Sequence, residues 1–309
     1  EPYSTFSEII GKYFVKNNLE KKKIVLIGDK SLLEKQLIKL NYLFKLNEIK
    51  NITHAKKNIV NIINTKFVHN KTYSKISEKS NEYIKNCFDE SLKIIRKYQN
   101  ECILINGPIS KNTFLKKRYL GITEYLAKHT KTKDEVMLIY NEKLSVTPLT
   151  THIPIKYVAK KITKNKILKN ILNINKFYKK IIKRKIKIAV LGLNPHCETI
   201  DNFSEEEKII KPSIIKLKKK NIKVYGPFSA DTFFLKKNID KYDVVVGMYH
   251  DQVLTPIKTL FDFNAINITV GLPFIRLSPD HGPNANMLGK NKSDPSSFIY
   301  AMKFVEKIT

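Results

Sequence analysis

At 309 residues with 42% hydrophobic side chains, 16 Phe and 15 Tyr among them, the chain can fill one large core or two smaller ones, which excludes wholesale disorder. No run of about 18 apolar residues excludes a membrane-spanning helix, and Glu1-Pro2-Tyr3-Ser4 has neither the basic nor the apolar region of a secretory signal. The formal charge of +29 comes from lysines dispersed among Ile and Asn, with no RRM, HTH, KH or zinc-finger pattern; it predicts a solvated lysine surface and no specific nucleic-acid partner, with a nucleic-acid-binding role the lesser alternative.

Continuous apolar runs mark strands buried on both faces of a sheet. In chain order they are Ile24–Gly28, Cys102–Ile105 before Asn106-Gly107-Pro108, Val136–Ile139, Ile188–Gly192 and Val244–Met248. Helical spacing of apolar residues lies between them. Ser31 to Phe44 carries Leu32, Leu33, Leu37 and Leu40. Tyr83 to Tyr98 carries Ile84, Phe88, Leu92 and Ile95, and Ile167 to Ile182 carries Ile167, Ile171, Ile174 and Phe177. Polar stretches at 51–57 and 70–81 read as surface loops. Alternating strands and helices predict an α/β protein of layered helix–sheet–helix build. No GxGxxG occurs, so a Rossmann dinucleotide fold is not expected. Cys87, Cys102 and Cys197 are odd in number and lack CxxC spacing, which fits a reducing cytoplasm better than a disulfide scaffold or zinc ribbon.

Chemistry-bearing residues gather at predicted strand ends, where α/β proteins form their pockets. His152 follows the extended Pro148-Leu149-Thr150-Thr151, His196 follows a strand broken at Gly192-Leu193-Asn194-Pro195, and His250 follows Gly247-Met248-Tyr249. Three imidazoles with open positions are the ligand set of a catalytic divalent metal. On spacing alone, each ring capping a strand end or filling a pocket edge is the stronger alternative, because no HExxH-type geometry links them. His54, His69 and His129, in polar or lysine-rich context, read as surface. Lys258, Asn267 and Arg276 form a second group; an arginine fork suits a carboxylate or phosphate, whereas Lys258 by itself reads as solvated. Asp280-His281-Gly282-Pro283-Asn284 is either a turn that brings backbone close to a ligand or an ordinary polar turn. The positive field favours phosphorylated, carboxylated substrates.

Several long segments carry a family resemblance. They are Val190 to His196, Gly226-Pro227-Phe228-Ser229-Ala230-Asp231-Thr232-Phe233-Phe234, Tyr249-His250-Asp251-Gln252, and Asn267 to Arg276 with Ser278 and Asp280-His281-Gly282. Weaker matches are Gly107 to Lys111, Thr123 to Ala127 and Thr150 to Pro154. In this order the chain resembles the 4-hydroxythreonine-4-phosphate dehydrogenase family, called PdxA in pyridoxine biosynthesis.

The resemblance implies an isocitrate/isopropylmalate dehydrogenase-like α/β architecture, with two α/β/α domains flanking an active-site cleft: residues 1–130 plus 285–309, and 131–284. It implies a homodimer with a shared active site, one histidine coming from the partner. His152, His196 and His250 are then ligands of one divalent metal (zinc, alternatively magnesium or cobalt). Asp231 and Asp251 fall on acidic positions near the metal, and with Lys258 are the expected catalytic groups. Thr123, Lys258, Asn267 and Arg276 are the expected substrate contacts, and Asp280, His281 and Gly282 the NAD (or NADP) loop. The implied reaction oxidises the C3 hydroxyl of 4-(phosphooxy)-L-threonine by hydride transfer to the nicotinamide, and then loses CO2 to give 3-amino-2-oxopropyl phosphate. A phosphorylated threonate or erythronate is the alternative substrate.

Three departures stand out. The family's Gly-His-Thr-Glu reads Gly121-Ile122-Thr123-Glu124, so an imidazole that contacts substrate is replaced by an apolar side chain. The glycine-rich Asp/Glu-Pro-Ala-Gly-Ile-Gly-Pro-Glu reads Glu1-Pro2-Tyr3-Ser4-Thr5-Phe6-Ser7-Glu8. Pro283-Asn284 replaces the usual Thr-Ala after His281-Gly282.

Overall fold

The computed structural model describes residues 1–309 except 18–21, 100, 117, 201–202, 263 and 280–281. The chain begins with α1 (Phe6–Lys16), β1 (Ile24–Gly28), α2 (Lys30–Lys39), β2 (Leu46–Glu48), β3 (Val60–Asn64), α3 (Asn81–Lys97), β4 (Ile103–Ile105) and α4 (Ile122–His129). It continues with β5 (Val136–Tyr140), β6 (Ser145–Thr150), α5 (Val158–Lys161), α6 (Lys164–Phe177), β7 (Ile188–Leu191), α7 (Lys211–Lys218) and β8 (Val224–Phe228). Last come α8 (Ala230–Phe233), α9 (Lys236–Ile239), β9 (Val244–Tyr249), α10 (His250–Phe261), β10 (Ile266–Val270), β11 (Ile275–Pro279) and α11 (Ser296–Ile308). Two compact units result, Glu1–Tyr125 with Leu277–Lys303, and Leu126–Arg276 with Phe304–Thr309. Of the expected return segment 285–309, residues through Lys303 belong to the first unit and the last six to the second.

The first unit is built on the parallel sheet β1-β3-β2. Side chains alternate across a strand, so Val60 and Ile62 face Ile9, Ile10, Tyr13 and Phe14 of α1 with Phe298 and Met302 of α11. Ile63, with Val25 and Ile27, faces Ile49, Ala55 and Ile94 of α3. Helix α1 begins inside the segment that replaces the family's glycine-rich motif. Its apolar residues at 9, 10, 13 and 14 form one face, and that face drives the segment onto the sheet. Helix α2 begins where Asp29 accepts a hydrogen bond from Leu32 N (2.7 Å) and stops short of Phe44, because Asn41 turns left-handed (φ 60°). His69 is not a surface residue: its side chain is 7% exposed and its Nε2 lies 3.5 Å from Asp29 Oδ1. Its polar sequence neighbours concealed a contact made across the fold.

The second unit holds six strands in the order β10-β5-β6-β9-β7-β8, antiparallel as far as β6 and parallel from β6 onward. Val146, Ala189, Leu191 and Val245 face α10 through Val253, Leu254 and Ile257. Thr147, one residue on, points the other way and receives a hydrogen bond from Asn170 Nδ2 of α6 (3.2 Å). Helices therefore cover both faces, which is why these strands are apolar throughout. Each fully buried aliphatic side chain contributes about 1.5–3 kcal/mol. The helix expected over 167–182 starts at Lys164, is α-helical to Phe177, and finishes as a π-turn to Ile182 closed by left-handed Lys183.

Strand β8 crosses β7 closely at Gly226. Its φ is +124°, and a Cβ there would sit 2.3 Å from the Val190 carbonyl oxygen. Neither backbone can yield cheaply, so Gly226→Ala is expected to lower unfolding stability by more than about 2 kcal/mol. Urea titration reads this directly; a midpoint equal to that of the unmodified chain would refute the close approach.

Candidate active site

Strands β6, β9 and β7 are parallel neighbours, and each of the three singled-out histidines follows the carboxyl end of one of them. The register pairs Thr150 with Tyr249. His250 is the next residue after Tyr249 and His152 comes two after Thr150, so both rings stand just past adjacent strand ends. Their centroids lie 5.6 Å apart with the planes tilted by 41°. Thr150 Oγ1 donates to Met248 O (2.7 Å), locking the two strand ends together.

His250 opens α10, and its Nδ1 lies 2.6 Å from Asp251 Oδ1. In the tautomer whose Nδ1 donates to the Asp251 carboxylate, Nε2 presents its lone pair to a ligand. Asp251 thus acts on its neighbour's tautomer and orientation, a common arrangement behind metal-ligating histidines. His152 is exposed on the turn after β6.

His196 behaves differently. It sits in a left-handed conformation (φ 54°, ψ 15°) in the turn Pro195–Cys197, with its side chain 74% exposed. Its Nδ1 lies 3.9 Å from Asp231 Oδ2, at the start of α8. A hydrogen bond from Ser229 holds the Asp231 carboxyl below its ordinary range, and the nearby imidazole adds a smaller pull in the same direction. Among the described residues, no three His, Cys, Asp or Glu side chains gather closely enough to hold a metal ion. One chain therefore pairs two of the expected rings and leaves the third beside Asp231.

Arg276 on β11 is 3% exposed, and its Nη1 donates to Thr269 Oγ1 on β10 (3.0 Å). Asn267, two residues earlier on the same strand as Thr269, has a buried Oδ1 with no hydrogen-bond partner. A buried acceptor left open is costly, on the order of 1–3 kcal/mol, unless a ligand completes it. Lys258 is exposed near the end of α10. In the first unit, Thr123 is half-buried in the first turn of α4, directly after Ile122. Gly282 precedes Pro283, whose carbonyl accepts from Thr5 N (3.1 Å). Asp280 and His281 lie outside the described residues.

Two side chains of this region were not singled out from sequence. Glu206 is fully buried and accepts from Leu193 N (2.7 Å), Asn194 N (2.9 Å), Asn194 Nδ2 (2.9 Å) and Ser204 Oγ (3.0 Å). Burial raises its carboxyl, but the hydrogen bonds from Asn194 and Leu193 outweigh it and leave the group below its ordinary range. Gln252 accepts from Met248 N and donates to Gly192 O, both at 2.7 Å. The available sequence signals are the acid run Glu205-Glu206-Glu207 in a basic chain and the place of Gln252 beside His250. Neither says which way a side chain turns.

With this geometry in view, the family comparison is decisive: the model of the pyridoxal phosphate biosynthetic protein PdxA matches residues 20–305. The chain belongs to the PdxA family. A 4-hydroxythreonine-4-phosphate dehydrogenase from Sulfurihydrogenibium sp. is 37% identical over 312 aligned positions, covering 98% of this chain and 94% of the relative. A D-threonate 4-phosphate dehydrogenase from Pectobacterium atrosepticum is 38% identical over 191 positions, covering 62% of this chain and 59% of the relative. The crystal structure of 4-hydroxythreonine-4-phosphate dehydrogenase from Klebsiella pneumoniae has a TM-score of 0.83 at 27% identity, covering 99% of this chain and 96% of that one. The α/β fold is thus shared with solved PdxA-family structures, and the chain is an oxidoreductase of that family. No helix among the described residues is long and apolar enough to cross a membrane.

Proposed function

We propose that this PdxA-family chain oxidises and decarboxylates 4-(phosphooxy)-L-threonine to 3-amino-2-oxopropyl phosphate, with NAD (or NADP) as acceptor and one divalent metal per site. The observation that carries the reading is the His152–His250 pair at in-register strand ends, with Asp251 leaving the His250 Nε2 free to ligate.

The donor set fits a borderline cation such as zinc, with magnesium or cobalt as alternatives. His152 and His250 would hold it, and the partner's His196 would complete the set in a homodimer. The exposure of that ring on its own chain supports this assignment. A cation so held would supply Lewis acidity at the substrate's C3 oxygen, and the nicotinamide would accept the hydride.

The chain's own residues orient the acid. Arg276 offers a buried guanidinium fork to a carboxylate or phosphate. The open Asn267 Oδ1 accepts from a substrate ammonium or hydroxyl, and Lys258 adds a point charge on the phosphate side. Thr123 contacts the substrate, and Asp280, His281 and Gly282 form the cofactor loop. Asp231, beside His196, is the acid expected to meet the metal's surroundings in the dimer. The free cysteines Cys87, Cys102 and Cys197 support a cytoplasmic location.

Ile122 favours one second reading. With an apolar residue at the start of α4 in place of a phosphate-contacting imidazole, the phosphate is held differently, and a related phosphorylated acid such as D-threonate 4-phosphate is the alternative substrate. The test is NADH formation by the purified chain with each of the two substrates, with and without added zinc. Metal-dependent turnover of 4-(phosphooxy)-L-threonine at the higher kcat/KM is the expected result. Preference for the threonate moves the chain to the second reading, and no NADH from either acid defeats both.

A further inference from the structure

We infer that Glu206 is the positioning residue that holds the His196 loop in its ligand-presenting conformation, with Gln252 tying that loop to the strand end that carries His250. The inference rests on the metal reading above and assigns the groups that shape the site without touching the ion.

The need for such groups follows from the backbone. Strand β7 ends at Leu191, and the chain must turn at once, stripping Leu193 N–H and Asn194 N–H of any ladder partner. Glu206 Oε1 accepts both, and its Oε2 takes Asn194 Nδ2 and Ser204 Oγ. One fully buried carboxylate therefore receives four donors from the loop that precedes it. Two residues later His196 and then Cys197 adopt left-handed backbones (φ 54° and 62°), a conformation non-glycine residues hold only where their surroundings impose it. The His196 ring cannot impose it, being 74% exposed. The constraint comes from behind, where Cys197 Sγ and Glu206 Oε1 close around Gly192; a Cβ on Gly192 would lie 2.6 Å from the first and 3.0 Å from the second.

Gln252 ties the loop to β9, the strand that presents the same chain's own His250. Its Oε1 takes Met248 N at the end of β9, and its Nε2 reaches Gly192 O at the base of the His196 loop. The segment bearing His250 and the segment bearing His196 are thus joined through one side chain, two residues from the first ring. A shift of either segment breaks a 2.7 Å hydrogen bond. Replacing Glu206 by Gln preserves the shape but sets an NH2 group against loop donors, so the loop relaxes and His196 loses its orientation.

The experiment compares zinc affinity, by competition with a coloured chelator, for the unmodified chain, Glu206→Gln, His196→Ala and the double variant. Glu206→Gln is expected to weaken zinc binding about 10–100-fold in the unmodified background and to add nothing in the His196→Ala background. An equal loss in both backgrounds, or no loss in either, overturns the inference. If Glu206→Gln does not fold, Ser204→Ala, which removes one of the four donors to Glu206, is read in the same two backgrounds by the same criteria. Zinc affinity unchanged in His196→Ala would overturn the ligand role of His196 itself, a failure distinct from that of Glu206.

Discussion

His250→Ala abolishes metal-dependent turnover while leaving the protein folded: kcat/KM is expected to fall at least about 1,000-fold, roughly 4 kcal/mol of transition-state stabilisation. The size follows from what is removed. His250 is the ring whose tautomer is set by Asp251 and whose position is set by the β6–β9 register, 5.6 Å from His152. Without it this chain retains a single imidazole at that place, and one ligand neither holds a divalent cation nor polarises an alcohol. The fold has no stake in the ring, since His250 only opens α10 and the buried contacts of that helix come from Val253, Leu254 and Ile257. Steady-state kinetics with zinc added back, alongside thermal unfolding, separates the two effects. Turnover within about tenfold of the unmodified enzyme would remove the metal from the proposed chemistry.

Arg276→Lys is the second large effect. Lysine keeps the charge but loses the planar fork, and with it the second parallel hydrogen bond to a substrate oxyanion. A hydrogen bond to a charged group contributes about 1.5–3 kcal/mol, so KM is expected to rise roughly 10- to 150-fold while kcat changes far less. Arg276 also donates to Thr269 Oγ1 between β11 and β10 and is only 3% exposed, so some stability is lost too. The division between KM and kcat tells the roles apart. A lowered unfolding temperature with KM unmoved would make Arg276 a structural tie and nothing more.

Much of the architecture was legible because the strands are covered on both faces. Runs such as Ile188–Leu191 and Val244–Met248 are apolar at every position, and that pattern reads directly as a buried strand. Helix α3 was equally plain, with Ile84, Phe88, Leu92 and Ile95 on one buried face. Strand β3 was missed although Val60 to Ile63 is wholly buried, because Asn61 interrupts the run. Its amide is satisfied by Ile24 O, Lys56 O, Ile59 O and Asn47, partners that exist only once the sheet has formed. Helix α10 was missed for a related reason: it starts at the residues read as a site, His250 and Asp251, and contains Pro256.

What the sequence determined alone was the α/β class, the buried strands, the placement of three histidines after strands and, through its motifs, the family. Those properties are local, carried by periodicity and by residue types in order along the chain. Tertiary structure alone decided that β6 and β9 pair in the register that brings His152 to His250, and that Glu206 and Gln252 turn inward to hold the His196 loop. It also decided that His196 stands exposed beside Asp231 and that His69 packs against Asp29. These depend on which strands become neighbours and on which buried polar groups need partners. Both are set by burial summed over the whole sheet, and no window of sequence contains them.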